Sequence, residues 1–319
     1  MISYVSVNTS LITDVNHCQL IDDDTVAVLS SRQTNSIVLI NASTGETLFT
    51  IGGEYSDVDL MDLDGVTYGA GSSLWHGQHN AEYFGEYEYF LFDNEEKTGN
   101  SSRLLMVRAD PAETYASIEW EYVLDGYSPV FGDHDLLANG HVLGVYWPET
   151  IYSNAEPNYD AQAVEVDMDS KEVAWDLKVN GICDYTSDEG GCTRSDTAGW
   201  TIYSIERFYT APLVYGVSCS DDVVSFTTQN NFKQMNVAEA TVEISDASDG
   251  TTYASKSFQF SAYWRATDLE VSLAADVTKE STGSETLSKP VTGSADEVVV
   301  TVTNVWGDST SVSVTCTSS

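Results

Sequence analysis

Histidine is the residue of this chain best suited to chemistry near neutral pH. All five copies fall within the first 141 of 319 residues: His17, His76, His79, His134 and His141. A neutral imidazole can attack an electrophile or move a proton. Three of the five share a context in which a loop gives way to an alternating run: Asn16-His17-Cys18, Gln78-His79-Asn80 and Asp133-His134-Asp135. If those runs are equivalent strands of successive repeats, one imidazole from each repeat meets the others in a single pocket. The alternative is that they bond loops and tie repeats together, and spacing alone does not separate the two. His141, in NGHVLG, reads as structural, and His76 as a loop residue. Arg32, in LSSRQTN, is one of only 13 basic residues. Its guanidinium fork suits a bidentate oxyanion such as sulfate or phosphate. An ion pair with one of the 50 acidic residues is the competing use, as it is for Arg103 and Arg207.

The elements that must position these groups are strands. Tyr, Phe and Trp number 18, 10 and 7 against 6 Pro, Val and Thr are frequent, and long helix-forming stretches are missing. Over the first two hundred residues short apolar runs recur with turns between them, as in TVAVLS, SIVLI and TLFTIGG, then EYEYFLFDN, RLLMVRAD and ASIEWEYVL, then HVLGVYW, AQAVEVDMD and KEVAWDLKV. A repeat of about forty to fifty residues built of short antiparallel strands predicts propeller blades. Three are counted, with a partial fourth around 200–209. TAPLVYG (210–216) reads as a boundary. Beyond it, alternating runs at 222–228, 238–245, 254–260, 268–273, 296–303 and 310–316 predict an immunoglobulin-like β-sandwich. The expected fold is therefore all-β: a partial β-propeller of three to four blades over 1–212 and a sandwich over 213–319.

Charge and cysteines set the surroundings. The net charge of −37 argues against nucleic acid and anionic membranes as partners, and no stretch is long enough to span a bilayer. The run Asp57, Asp59, Asp62, Asp64, Gly65 lacks the spacing of a calcium loop and reads as a solvated acidic loop. No metal and no cofactor are expected. Cys183 and Cys192 flank a polar stretch, and Cys219 and Cys316 bracket the last hundred residues. Two such pairs predict an oxidising, secreted location, with Cys18 left buried and reduced. Closing the longer loop contributes ~4 kcal/mol. Asn8, Asn41 and Asn100 open glycosylation sequons. The first residues, MISYVSVNTSLITDV, lack a basic n-region and a long apolar core, so the sequence reads as a mature form or a piece of a longer protein.

VNHCQLIDDDTVAVLSSRQTNSIVLINASTGETLFTIGG, WHGQHNAEYFGEYEYFLFDN and FGDHDLLANGHVLGVYW together resemble the arylsulfotransferase family over roughly residues 10–212. Family features there are S-R-x-T/S before a T-G turn and L-G-G, a Q-H-D-A to L-F-D-N segment, and a later L-P-N-G-N strand pair. The resemblance implies a six-bladed propeller that moves a sulfuryl group from an aryl sulfate to a phenol without a nucleotide donor. Carried over, His79 is the nucleophile that becomes sulfonated. His17 and Arg32 neutralise the sulfuryl oxygens, and His134 and His76 are further substrate-binding candidates. Two departures stand out. Asn80 occupies the place of an acid expected to support the imidazole, and about three blades stand where the family has six. An open propeller calls for a missing segment, a second chain or self-association. A non-catalytic extracellular assembly glycoprotein on the same scaffold is the alternative reading, and a glycan-binding module a third.

Overall fold

The structure, a computed structural model, describes residues 12–95, 97, 100–147, 161–179, 182–183, 197–198, 202–220, 222–233, 236–263, 265–273 and 297–317. Every regular element among these residues is a strand. The chain divides into two compact units, Met1–Glu206 and Arg207–Ser319.

Unit one is a succession of antiparallel meanders. The first runs β1 (Val15–Ile21), β2 (Val26–Ser31), β3 (Ser36–Asn41) and β4 (Thr47–Ile51), paired in sequence order. The second sheet begins with two short strands, β5 (Asp59–Met61) and β6 (Thr67–Tyr68). A meander follows, β7 (His79–Tyr83), β8 (Glu88–Asp93), β9 (Arg103–Arg108) and β10 (Tyr115–Val123), and β5 adds to β10 in parallel. The third is β11 (Asp133–Leu136), β12 (His141–Tyr146), β13 (Ala161–Asp167) and β14 (Val173–Val179). β15 (Ile182–Cys183) and β16 (Thr197–Ala198) form a small ladder.

Middle strands such as β2, β3 and β8 are buried on both faces, so they read as continuous apolar runs rather than alternations. One expectation changes here. Residues 202–209 carry no strand, so the partial fourth repeat does not form there. The acidic run is largely exposed, as expected of a solvated loop, and its carboxylates also hold turns. Asp57 accepts Thr50 N–H at 2.7 Å, Asp59 accepts Ala70 N–H at 2.8 Å, and Asp62 accepts the N–H groups of Asp64 and Val66. Those bonds, the Val66 one foremost, hold the Asp62 carboxyl below its usual range.

The first strands of the three meanders are neighbours. β7 packs against β1 and β2, and β11 packs against β7 and β8. Gln19 ties β1 to β7: its Nε2 donates to Tyr83 O at 3.1 Å and its Oε1 accepts Tyr83 N–H at 2.7 Å. Apolar faces close between sheets, with Gly144 of β12 so near β9 that a Cβ there would lie 2.8 Å from Leu104. The glycine pair after β4 has a similar cause. Gly52 and Gly53 adopt φ of 77° and 73°. A Cβ on Gly52 would lie 2.5 Å from the Trp75 ring, and one on Gly53 2.1 Å from Thr34 O. The pair lets the β2–β3 turn, which carries Arg32, and the segment before His79 close onto β4.

Unit two holds a three-stranded and a four-stranded sheet. Its strands are β17 (Leu213–Ser220), β18 (Val223–Gln229), β19 (Ala238–Asp246), β20 (Thr252–Phe260), β21 (Thr267–Ser272), β22 (Glu297–Asn304) and β23 (Ser309–Thr315), in sheet orders β17-β18-β21 and β20-β19-β22-β23. Part of the stretch read as a boundary is thus the start of β17. The alternation seen in sequence is the burial pattern: on β19, Ala238, Ala240, Val242 and Ile244 are buried and the residues between are exposed. One core draws on both sheets, with Val224, Phe226 and Val271 from the first and Val242, Ile244 and Val300 from the second. Cys219 and Cys316 are bonded, with Cα atoms 4.5 Å apart. Cys192, and with it the pairing to Cys183, lies outside the described residues, as does the Asn8 sequon. Cys18 is free, but exposed rather than buried. It alternates with His17 and Gln19 on an outer strand, and so takes the face turned away from β7.

Candidate functional site

His79 opens β7 and is buried, at 5% exposure. Its Nδ1 lies 2.7 Å from Asn94 Oδ1 and 3.2 Å from Gly77 O. Both partners accept, and the Asn94 amide is oriented by its own Nδ2, which donates to Ser128 O and Phe131 O, each at 2.8 Å. Nδ1 therefore carries the proton, and the lone pair sits on Nε2. Phe131 and Tyr203 stand edge-on to the ring at centroid distances of 6.4 and 5.9 Å. Burial pushes the His79 pKa below its ordinary value, the Asn94 bond opposes that shift, and the nearby Arg32 charge adds to it. The ring is thus neutral at pH 7, with an oriented nucleophilic nitrogen.

The segment leading into His79 is held at nearly every residue. Gln78 Nε2 donates to Ser31 O and Ser36 O, both at 3.0 Å, and Gln78 O accepts Asn16 Nδ2 at 2.7 Å. Gly77 N–H donates to Asn35 Oδ1 at 2.7 Å, and His76 N–H to Asp93 Oδ1 at 2.9 Å. Asp93 also takes the Arg103 fork, Nε at 3.1 Å and Nη2 at 2.6 Å, while Nη2 reaches Leu74 O at 2.8 Å. Burial pushes the Asp93 carboxyl up to about 6, against the pull of the Arg103 charge. The LFDN stretch thereby acquires two mechanical roles: Asp93 anchors the loop and Asn94 orients the imidazole.

Residue 80 does something other than the sequence led one to expect. Asn80 sits at φ 50° and turns its amide to Asp133, while its carbonyl accepts His134 Nε2 at 2.9 Å. Support for the His79 ring comes from Asn94, fifteen residues beyond it, so the missing acid at 80 leaves the imidazole oriented.

The other candidates are placed as follows. His17 lies on β1, half-buried, beside the bulge between Val15 and His17. By alternation it shares the face of Gln19, the face turned to β7. Arg32 stays near His79 and pairs with Asp14 at 3.1 Å, its side chain 20% exposed. His134 is 1% exposed, and its ring packs with Phe84 and Phe90 at 6.5 and 5.7 Å. It ties β11 to β7. His141 is clasped by Glu165 at 2.8 Å and Asp167 at 3.2 Å, in keeping with a structural reading. His76 lines a groove with Asn35, Tyr55 and Tyr68. Arg103, left ambiguous by its sequence, is a structural node among Asp93, Glu95 and Glu121. Sequence reading missed Tyr203, whose hydroxyl donates to Asn16 O at 3.2 Å; it lay in the run read as a partial blade, without a role at the site. Asn94 was visible as a motif letter without a role. Among the described residues no group of three or more His, Cys, Asp or Glu is arranged to hold a metal ion. No helix among them is long and apolar enough to cross a membrane.

No curated protein matches the chain. Solved structures resemble it only loosely. Dihydro-heme d1 dehydrogenase NirN, in complex with DHE, aligns with a TM-score of 0.31 at 8% identity over 95% of this chain and 58% of its own. The WD40 domain of SCAP from fission yeast gives 0.22 at 8% identity over 95% and 74%. The extracellular domain of the hybrid two-component system BT3049 from B. thetaiotaomicron gives 0.25 at 8% over 99% and 46%. This chain thus spans little more than half the length of the first of these, and likenesses so weak bear on nothing further. The family comparison is of another kind. The model of arylsulfotransferase (ASST) matches residues 13–187, a stretch that contains Arg32, the glycine pair, His79 and the LFDN strand. Matched over more than half of its length, this chain belongs to the arylsulfotransferase family.

Proposed function

We propose that the protein transfers a sulfuryl group from an aryl sulfate to a phenol through a sulfonated His79. The observation that carries this is the orientation of one buried, neutral imidazole: Asn94 and Gly77 take the Nδ1 proton, leaving the Nε2 lone pair for attack. In the first half-reaction Nε2 attacks sulfur, an N–S bond forms, the S–O bond to the aryl group breaks, and the leaving phenolate takes up a proton from solvent. In the second, the acceptor phenol gives its proton to solvent as its oxygen attacks sulfur, and the N–S bond breaks with its electron pair returning to Nε2, which restores the neutral imidazole. Arg32, with His17 on the neighbouring strand, stabilises the sulfuryl oxygens as charge develops. His134 shapes the site by holding β11 against Asn80, and His76 bounds its loop side. No cofactor or metal enters the scheme.

In this reading the three meanders are blades of a β-propeller of the six-bladed type, and residues 213–319 form an immunoglobulin-like sandwich. Val173, Trp175 and Leu177 stand 48%, 39% and 41% exposed on the outermost strand of the third meander, which supports self-association or a second chain beside it. The Cys219–Cys316 bond supports a secreted, oxidising location. Asn100 is exposed. The Asn41 side chain instead accepts Ser43 and Thr44 N–H, each at 2.9 Å, in its own turn.

The test is direct. After incubation with an aryl sulfate and a rapid quench, intact mass should rise by one sulfuryl group, and peptide mapping should place the adduct on His79. An unmodified chain, or an adduct on another residue, would reject the scheme. Asn94 supplies a second check, as a positioning residue. Asn94→Leu should lower kcat by about 10²-fold with KM little changed, because the proton is no longer confined to Nδ1. Asn94→Asp should move the acid limb of the pH profile upward, since a carboxylate favours the imidazolium. Unchanged kcat in both variants would remove the orienting role.

A further inference from the structure

A groove of about 720 Å³ runs along the loop side of unit one, lined by the β2–β3 turn, the residues after β4 and the segment before β7. That volume falls within the range of small-molecule sites, ~300–1,000 Å³. Its lining differs from what an aryl ring would select. Phenols prefer an apolar slot, whereas this lining is mostly hydroxyl and amide groups.

The polar groups face inward with capacity to spare. Gln33 is exposed and its amide has no partner among the described residues. Asn35 spends Oδ1 on Gly77 N–H, which leaves Nδ2 for a ligand. The Ser72 hydroxyl and the Glu54 carboxylate likewise have no partner among the described residues. Two aromatic rings complete the lining: Tyr55, 45% exposed, and Tyr68, 39% exposed. Tyr68 is pinned by its hydroxyl, which donates to Asp62 at 3.0 Å, so its ring is held in place before any ligand arrives. Charge is balanced locally, with Lys97 set against Glu54. His76 lines the groove as a neutral ring, because burial pushes its pKa below the ordinary value.

Flat aromatic faces, amides and hydroxyls on several sides, and no net charge are what a sugar ring requires. Its C–H faces pack on aromatic rings, and its hydroxyls both donate and accept. We propose that this groove binds a neutral saccharide. The overall charge of −37 sets the sign of the selectivity, because sulfated or carboxylated glycans are repelled. The assignment stands apart from the chemistry at His79, and its test is built to keep the two separate.

The full chain is applied to an array of immobilised neutral and sulfated oligosaccharides. Neutral oligosaccharides should be retained in preference to sulfated ones of the same backbone. Tyr55→Ala and Gln33→Ala each change an exposed or half-exposed side chain, and each should weaken that binding about tenfold, ~1.4 kcal/mol. His79→Ala should bind as the unaltered chain does. Binding to no oligosaccharide, a preference for the sulfated set, or retention unaffected by both groove substitutions would each overturn the assignment.

Discussion

His79→Ala should abolish sulfuryl transfer, lowering turnover by a factor on the order of 10⁴–10⁶, the scale on which an enzyme loses a covalent nucleophile. Neither the adduct nor the initial burst of released phenol should survive. His141→Gln is the control. Its ring is occupied by Glu165 and Asp167, so transfer should be unchanged while the fold loosens slightly. The pH dependence carries a second, independent sign. His79 must be neutral to attack, and burial, aided by the Arg32 charge, lowers its pKa. Activity should therefore persist as pH falls through about 6.5, the ordinary histidine value, and decline only below it. An acid limb at or above that value would mean that the attacking group is another residue or that the ring is solvated during turnover. Residual turnover within tenfold of the unaltered chain in His79→Ala would remove the nucleophile role altogether.

The second large effect is on stability. The Cys219–Cys316 bond closes a loop with a sequence separation of 97, joining β17 to the end of β23. Loop-closure entropy on that scale amounts to about 4.7 kcal/mol. The bond also secures the seam where Thr317 N–H donates to Cys219 O at 3.1 Å and Ser220 bridges Thr317. Replacing both cysteines by serine should shift the denaturant midpoint of unit two sharply downward, with the slope changed little. Limited proteolysis should then cut within 207–319 before it cuts the first unit. A midpoint shift equivalent to less than about 1 kcal/mol would show that the two-sheet core of Val242, Ile244, Val300 and Phe226 holds without the staple.

The sequence by itself determined that the chain is all-β. It placed most strands of both units, because burial on two faces leaves continuous apolar runs such as β2 and β3 and burial on one face leaves the alternation of β19. It suggested a Cys219–Cys316 bridge, since the two bracket the alternating C-terminal stretch, and the resemblance of its QHNA and LFDN stretches to the arylsulfotransferase family pointed to His79. Local patterning cannot report which atoms meet after the chain has folded back on itself. Only the tertiary structure decided that Asn94 rather than residue 80 orients the imidazole, and that Asp93 and Arg103 brace the loop before it. It also brought Tyr203 from more than a hundred residues away to the His79 ring, out of a stretch where the expected partial blade does not form. Cys18 makes the same point in reverse. Its residue type predicted burial, but strand parity on an outer strand set it on the exposed face. Element type follows from periodicity along the chain, whereas the tautomer of the His79 imidazole follows from contacts that periodicity does not encode.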